Sequence, residues 1–454
     1  MALAVVLILL VIGTLVFHFA SPYFGWYFTP LASNWSMIDT TVDITFWVTG
    51  IVFVLVNLFM AYCIIKFRHR AGGKADYDPE NTKLEGWLTI ITSIGVAAML
   101  APGLVVWGQF VTVPEDAAQF EAVGQQWHWS FRFPGEDGQF GTVDVSHISV
   151  TNPFGMNPED PAGRDDVLVQ NQTVHLPVDE PVQALLRSKD VLHDFAVPQF
   201  RVKMDLVPGM VTYQWFTPTV PGEYEILCEE LCGIGHFAMR GRIVVEDRDD
   251  YEAWLDAQPT YGEVLARAEP NATTGQAAYA ICAACHGPQG QGQPVLNAPK
   301  LTHLDAWYIE RQLTYFKSGI RGTAEGDTYG ATMAPMMAAV PDATAIRNIA
   351  AYIDTLEDPP AELTVAGDAA RGARIYTTCA ACHGARGEGY WTMNAPALAG
   401  ASDWYLVTQL HNFKARIRGA HDGDTYGEQM SLLADILPDD RAINDVVAYI
   451  NSLR

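Results

Sequence analysis

At 454 residues the chain is too long for one compact core and divides into several domains. Its formal charge is −24, and residues 109–260 alone hold 25 Asp and Glu against nine Lys and Arg, which excludes a nucleic-acid-binding role, since phosphate contacts need basic side chains. Six of the seven cysteines fall into three close pairs, a pattern of cofactor attachment rather than of a disulfide framework.

Three apolar runs open the chain, at 1–20, 44–65 and 87–108. Each is long enough to cross a hydrocarbon layer of roughly 30 Å. The first lacks the basic start and the small-residue cleavage site of a secretory signal, so a retained extra transmembrane helix is expected. The other two form a transmembrane hairpin over 44–108. Lys66, Arg68, Arg70, Lys74 and Lys83 lie around the loop between them, whereas residues 21–42 contain no Lys or Arg. Basic loops stay in the cytoplasm. A multi-pass protein in the lipid of a bacterial inner membrane follows, with everything beyond residue 108 on the periplasmic side.

Residues 109–260 carry short alternating runs, "TVHLPV", "VQALLRS", "VTYQWFTP" and "GRIVVED", divided by Pro-Gly turns at 208–209 and 221–222. This pattern predicts an all-β sandwich or barrel. Just before the last run stands "CEELCGIGHFAM", residues 228–239. Two cysteines and a histidine suit zinc, but zinc has no use for Met239, whose thioether prefers copper. A mononuclear blue-copper site takes one Cys, two His and a weak Met. Two thiolates with His236, and with His193 upstream, suit a pair of coppers that share charge. Zinc and mononuclear copper remain alternatives on residue types alone.

The last part of the chain repeats itself at a constant offset of 97. "CAACHG" at 282 recurs at 379, "NAP" at 297 recurs at 394, and "GDTYG" at 326 recurs at 423. Two copies of one domain of about 90 residues follow, at 268–358 and 365–454, joined by the Pro- and acid-rich "EDPPAELTVAGD". C-x-x-C-H signals covalent haem c. Cys282 and Cys285, and Cys379 and Cys382, would each bond one haem, with His286 and His383 as axial ligands. Met333 and Met430 share the offset and supply the opposite thioether; Met336 and Met337 align with Leu433 and Ala434. With both axial positions filled, these haems carry electrons and bind no oxygen.

Four resemblances follow from these residues. Each repeat is similar to a small class I cytochrome c domain, all-α in fold. Residues 30–250 resemble subunit II of cytochrome c oxidase, whose pattern C-x-E-x-C-G-x-x-H-x-x-M falls on Cys228, Glu230, Cys232, Gly233, His236 and Met239. The resemblance implies a cupredoxin-like sandwich over 109–260 and a dinuclear copper (CuA) centre. Its ligands would be His193, Cys228, the backbone carbonyl of Glu230, Cys232, His236 and Met239, with the Glu230 side chain reaching a magnesium ion shared with the catalytic subunit. "GQQWHWSFRFPG" resembles the family's aromatic run, which makes Trp127 the point where electrons enter, with His128 in place of the usual tyrosine. "NTKLEGWLT" resembles the stretch whose glutamate feeds a proton channel, here Glu85.

The implied protein is multidomain: transmembrane helices, a cupredoxin-like sandwich and two cytochrome c domains. It would be the electron-input subunit of a proton-pumping terminal oxidase, with catalytic subunit I and other membrane subunits as partners and a soluble cytochrome c or an upstream respiratory complex as donor. Oxygen would be reduced to water in the catalytic subunit. Fusion to one cytochrome c domain is the caa-type variant of the family; this chain carries two, and an additional span. The alternative is a membrane-tethered electron carrier of another reductase, such as a copper-containing nitric oxide reductase.

Overall fold

The computed structural model describes residues 1–25, 27–74, 80–169 and 171–453. Among these, three helices are long and apolar enough to cross a membrane: α1 (Ala2–Ala20), α2 (Ser36–Lys66) and α3 (Thr82–Phe110). Rings at their outer ends meet, His18 of α1 lying 6.5 Å from Trp47 of α2.

α2 begins eight residues before the apolar run that the sequence marks at 44, because its polar first turns find partners in the next domain. The Asp39 carboxylate takes a two-pronged pair from Arg201, at 2.6 and 3.0 Å. Trp35, the residue before the helix, is buried between Trp215 and Phe110 at ring separations of 4.8 and 5.2 Å. Trp35 Nε1 donates to Trp215 O, and Trp215 Nε1 donates to Gln109 O at the end of α3. The helix hairpin and the domain that follows are thus bolted together by an ion pair and a stack of indoles.

That domain is a sandwich of two five-stranded sheets. One has the order β3 (Val167–Val169), β2 (His128–Phe133), β1 (Ala118–Gln125), β5 (Val182–Ser188), β8 (Val211–Phe216). The other has the order β4 (Thr173–Pro177), β10 (Arg240–Glu246), β9 (Gly222–Leu227), β6 (His193–Val197), β7 (Val202–Leu206). β1 with β5 and β4 with β10 are parallel pairs, and the remaining pairs are antiparallel. The core between the sheets holds Phe120, Trp129, Phe131, Phe195, Phe216 and Ile243, all fully buried.

Inside one flank the register sets Glu121 opposite Arg132. Arg132 bridges Glu121 and Asp166 at 3.0 Å each, and Arg187 adds a second contact to Glu121 at 3.1 Å. Burial pushes the Glu121 carboxyl up, but the two guanidinium groups outweigh it and hold the carboxyl below its usual range.

Two helices close the domain, α4 (Arg248–Asp256) and α5 (Tyr261–Leu265). Tyr261, one position past the expected boundary at 260, is buried against Val123, Phe154, Met156 and Leu168, so α5 belongs with the sandwich.

Each repeat is a four-helix unit. The first holds α6 (Ala272–His286), α7 (Ala306–Ser318), α8 (Thr328–Met333) and α9 (Ala343–Asp354). The second holds α10 (Ala369–His383), α11 (Asp403–Lys414), α12 (Thr425–Ala434) and α13 (Asp440–Asn451). Their first and last helices cross on matching tyrosine pairs, Tyr279–Tyr352 and Tyr376–Tyr449, both at 5.3 Å and near 55°. The linker between them is tied down: Thr364 and Val365 donate their amides to Asp403, and Asp358 pairs with the buried Lys300.

The two units face each other across an approximate two-fold axis. Arg321 donates to Tyr405 OH and Gln409 Oε1, at 3.0 and 3.2 Å. The equivalent Arg418 donates to Tyr308 OH and Gln312 Oε1, at 3.4 and 3.3 Å. This is an isologous contact within one chain.

Removing one partner of a buried ion pair strands the other charge. Arg132→Leu is expected to destabilise the sandwich by about 3–5 kcal/mol. Denaturant titration of the purified chain checks this, with Glu121→Gln in the same background restoring part of the loss.

Candidate metal centre and haem sites

The loop between β9 and β10 supplies five of the six expected copper donors. Cys228 follows β9 directly, His236 opens a single helical turn (His236–Ala238), and Met239 immediately precedes β10. The sixth, His193, begins β6, which pairs with β9. Sheet pairing therefore brings His193 to the loop from 35 residues upstream. The sulfurs of Cys228 and Cys232 lie 3.6 Å apart. His193 Nδ1 is 3.9 Å from the Cys228 sulfur, and His236 Nδ1 is 3.6 Å from the Cys232 sulfur. Met239 Sδ lies 3.8 Å from Cys232, and the Glu230 carbonyl oxygen lies 3.2 Å from Cys228. Two cysteine sulfurs between two imidazoles, with a thioether and a carbonyl outside, fit a copper pair better than tetrahedral zinc, which closes on four ligands. His193, Cys228 and Cys232 are buried and within 4.8 Å of one another.

The two sulfurs are within hydrogen-bonding distance of each other. Their mutual hydrogen bond pulls the Cys228 thiol down and pushes the Cys232 thiol up. The site therefore offers one thiolate readily and must lose a further proton when metal binds. The His193 ring is oriented from behind: Nε2 meets Asp190 Oδ1 at 2.8 Å, leaving Nδ1 toward the cysteines. Burial disfavours the imidazolium, but Asp190 and Cys228 outweigh it and the pKa is raised.

Trp127 and Gln126 grip the loop. Trp127 Nε1 donates to the Cys232 carbonyl at 3.0 Å, and Gln126 Nε2 donates to the same oxygen at 2.7 Å. The Gln126 amide also donates to Asp190 Oδ2 at 2.7 Å, so one carboxylate joins this segment to His193. The indole lies flat enough on the loop that a Cβ at Gly235 would fall 2.5 Å from it, and Gly233 has φ +118°, which L side chains rarely adopt.

Trp127 is buried under the second cytochrome domain. Gln429 of α12 donates to the Trp127 carbonyl, and Gln125 donates to the Thr392 carbonyl. His128 meets Tyr426 edge-on at 5.7 Å and lies 3.3 Å from Asn394 Nδ2. Burial, helped by Lys189 and Arg311, lowers the His128 pKa to about 3, so it stays neutral. Ala381 and Cys382 pack against the sandwich core. Arg311 of the first repeat reaches over, hydrogen-bonded to Asn394 and 4.2 Å above the Tyr426 ring. The three soluble domains meet at this point.

In each repeat the C-x-x-C-H run forms the last turn of the opening helix, which sets both cysteines and the histidine on adjoining faces. His286 Nδ1 binds Pro299 O and His383 Nδ1 binds Pro396 O, both at 2.8 Å, which leaves Nε2 of each for iron. Burial lowers both histidine pKa values and keeps the rings neutral, as a ligand requires. Met333 packs against the same core as Cys282, whereas Met337 is a buried core residue and Met336 is exposed. Met430 occupies the matching place in α12. Between the repeats, Nε of Arg321 and of Arg418 are buried with no hydrogen-bond partner among the described residues. Unsatisfied buried guanidinium nitrogens suit an anionic partner.

Glu85 stands apart from all of this, exposed in the first turn of α3 at the membrane end of the chain. Asp190, Gln126 and Gln429, which help hold the site together, carry no spacing signal, whereas Asn394 lies in the repeated "NAP". Tyr426 lies in the repeated "GDTYG", whose recurrence was visible.

Fold and site define a membrane-anchored electron-transfer protein: a cupredoxin-type sandwich with a two-thiolate loop, capped by paired cytochrome c domains. The family description "Cytochrome C oxidase subunit II, periplasmic domain" matches residues 118–247, and "Cytochrome c" matches 272–357 and 369–454. The chain is 57% identical over 267 residues to an alternative cytochrome c oxidase subunit 2 of Bradyrhizobium diazoefficiens, covering 59% of this chain and 95% of that relative. It is 29% identical to a cytochrome c oxidase subunit 2 of Cereibacter sphaeroides, covering 46% of this chain and 74% of that one. A reduced cytochrome c4 of Pseudomonas stutzeri has a crystal structure that matches 41% of this chain and all of its own, at 27% identity and a TM-score of 0.34. The chain belongs to the cytochrome c oxidase subunit II family.

Loss of the carboxylate behind His193 frees the ring. Asp190→Ala is expected to weaken copper retention roughly 10–100-fold. Copper content after graded chelator exposure measures it, with haem content as the internal reference.

Proposed function

We propose that this chain is the electron-input subunit of a haem–copper oxidase in which the two cytochrome domains and the copper domain are a preassembled series. The observation that carries this reading is the seat of the second cytochrome domain on Trp127 and His128, directly above the Cys232 carbonyl. The second cytochrome domain is the one that packs on the copper-domain core, which supports the order first cytochrome, second cytochrome, copper domain.

His193, Cys228, the Glu230 carbonyl, Cys232, His236 and Met239 would hold the copper pair; Cys282, Cys285, His286 and Met333, and Cys379, Cys382, His383 and Met430, would hold two haems c. Bound there, these groups supply one-electron carriers that change charge without breaking bonds. The protein's part is rigidity. Asp190 fixes the His193 ring, Gln126 and Trp127 fix the Cys232 carbonyl, and the neutral His128 adds no charge between the domains. Trp127 would be the contact through which the copper domain is reached. The Glu230 side chain, half-buried beside exposed Leu231, would reach a magnesium ion at the face of the catalytic subunit. Glu85 would serve proton uptake at the cytoplasmic side. The chain would lie in a bacterial inner membrane with its three soluble domains in the periplasm, and oxygen would be reduced in the partner subunit.

Gln429→Ala with Tyr426→Ala should open the seat without touching any expected ligand. In the purified oxidase, the cytochromes should still reduce at the wild-type rate while oxygen uptake falls. Stopped-flow reduction of the cytochromes beside oxygen-electrode turnover reads both. Unchanged uptake would dismiss the series. The isolated chain should consume no oxygen.

A further inference from the structure

The second cytochrome domain sits on the copper domain through six uncharged positions, Ala381 and Cys382 at the end of α10, Thr392 and Asn394 in the following turn, and Tyr426 and Gln429 in α12, and through an ionic edge where Asp422 and Glu428 pair with Arg242. Counted back by 97, the six uncharged positions are Ala284, Cys285, Val295, Asn297, Tyr329 and Thr332 of the first domain, and the acidic pair falls on Glu325 and Ala331. The backbone there is alike in both copies. A short helical turn, Pro294–Leu296 or Trp391–Met393, leads into a left-handed asparagine, Asn297 at φ 52° or Asn394 at φ 54°.

The surroundings differ. Five of the six first-domain positions are exposed, the half-buried Asn297 being the sixth. Val295 is 93% exposed, Leu296 beside it 52% and Tyr329 50%. The two repeats join through the Arg321–Arg418 contact, which uses other residues and leaves this face open. The turn at its centre is also neutral: residues 287–299 contain no charged side chain, Gln289 and Gln291 stand where the second copy has Arg386 and Glu388, and the exposed Glu325 lies at the edge where the second copy has Asp422.

An apolar, uncharged face left open in one copy is seated on an electron acceptor in the other. We infer that this face of the first cytochrome domain, centred on Val295, Leu296 and Tyr329, docks the external electron-donor protein. The donor engages it through a neutral, apolar rim, not through basic side chains drawn to the acidic copper domain. Exposed apolar clusters on ordered turns mark such contacts. The copper domain's own Trp127 face is already covered, so a soluble donor has no access there. The inference rests on the electron-input reading given above.

The test uses the purified oxidase and two reduced soluble probes, a class I cytochrome c of near-neutral charge and a lysine-rich one. Tetramethylphenylenediamine serves as a small reductant that needs no docking. Val295→Glu with Leu296→Glu, and separately Tyr329→Glu on another element, should raise KM for the near-neutral probe about tenfold, a loss of ~1.4 kcal/mol of contact. They should weaken its binding to the immobilised complex in parallel, and leave kcat and diamine-driven oxygen uptake as in wild type. Val145→Glu, exposed on the sandwich, should change none of these. Wild-type KM for the near-neutral probe should stay flat from low to high salt. The inference is overturned by unchanged KM and binding in both variants, by no saturable binding of the near-neutral probe, by preference for the lysine-rich probe with steep salt dependence, or by a dimer of the chain that the variants dissociate. Absence of diamine-driven uptake in the wild type instead removes the oxidase reading itself.

Discussion

The carbonyl oxygen of Cys232 is the knot of the molecule. It accepts from the Trp127 indole and from the Gln126 side-chain amide, and so fixes a loop with a single helical turn as its regular structure. The loop must hold two sulfurs 3.6 Å apart, where a thiolate at Cys228 opposes a second thiolate at Cys232. Anchoring the backbone at one cysteine and the imidazole at the other, through Asp190, makes that spacing a property of the sandwich. Preorganisation of this kind is what a rapid one-electron site needs, because atoms that do not move cost nothing to rearrange. The same Trp127 forms the floor on which the second cytochrome domain rests, so metal geometry and domain docking share one support.

Much of this was legible in the residues because it is written in short-range spacing. Two C-x-x-C-H runs at equal offset, and four soft side-chain donors in one loop, leave few chemical readings. His193 is the exception among the donors. Its distance from the loop is closed only by the pairing of β6 with β9, and a resemblance, not periodicity, pointed to it. Among the strands, β4, β5, β8 and β10 announce themselves by alternation, as strands with one wet face must. β2 is buried along its whole length and β1 along most of it, so neither shows a clear period of two.

What the residues did not disclose are contacts between domains. The seat of the second cytochrome depends on Gln125, Asn394 and Gln429, ordinary polar residues whose partners lie more than 250 positions away. The early start of α2 is of the same kind: hydropathy marks where lipid begins, while the helix continues until Trp35 and Asp39 find Trp215 and Arg201. Local pattern governs which elements form; shape-matching between finished domains governs where they go, and a linear string carries little trace of it.

The reciprocal Arg321 and Arg418 contact has an architectural outcome. A surface that pairs with its own duplicate is saturated at two, since the two-fold operation returns to its start. Lengthening this conductor by another round of tandem duplication would yield a module with nowhere to attach. Growth of the wire beyond a pair therefore demands a new kind of joint, and the chain's reach from the membrane is capped by symmetry.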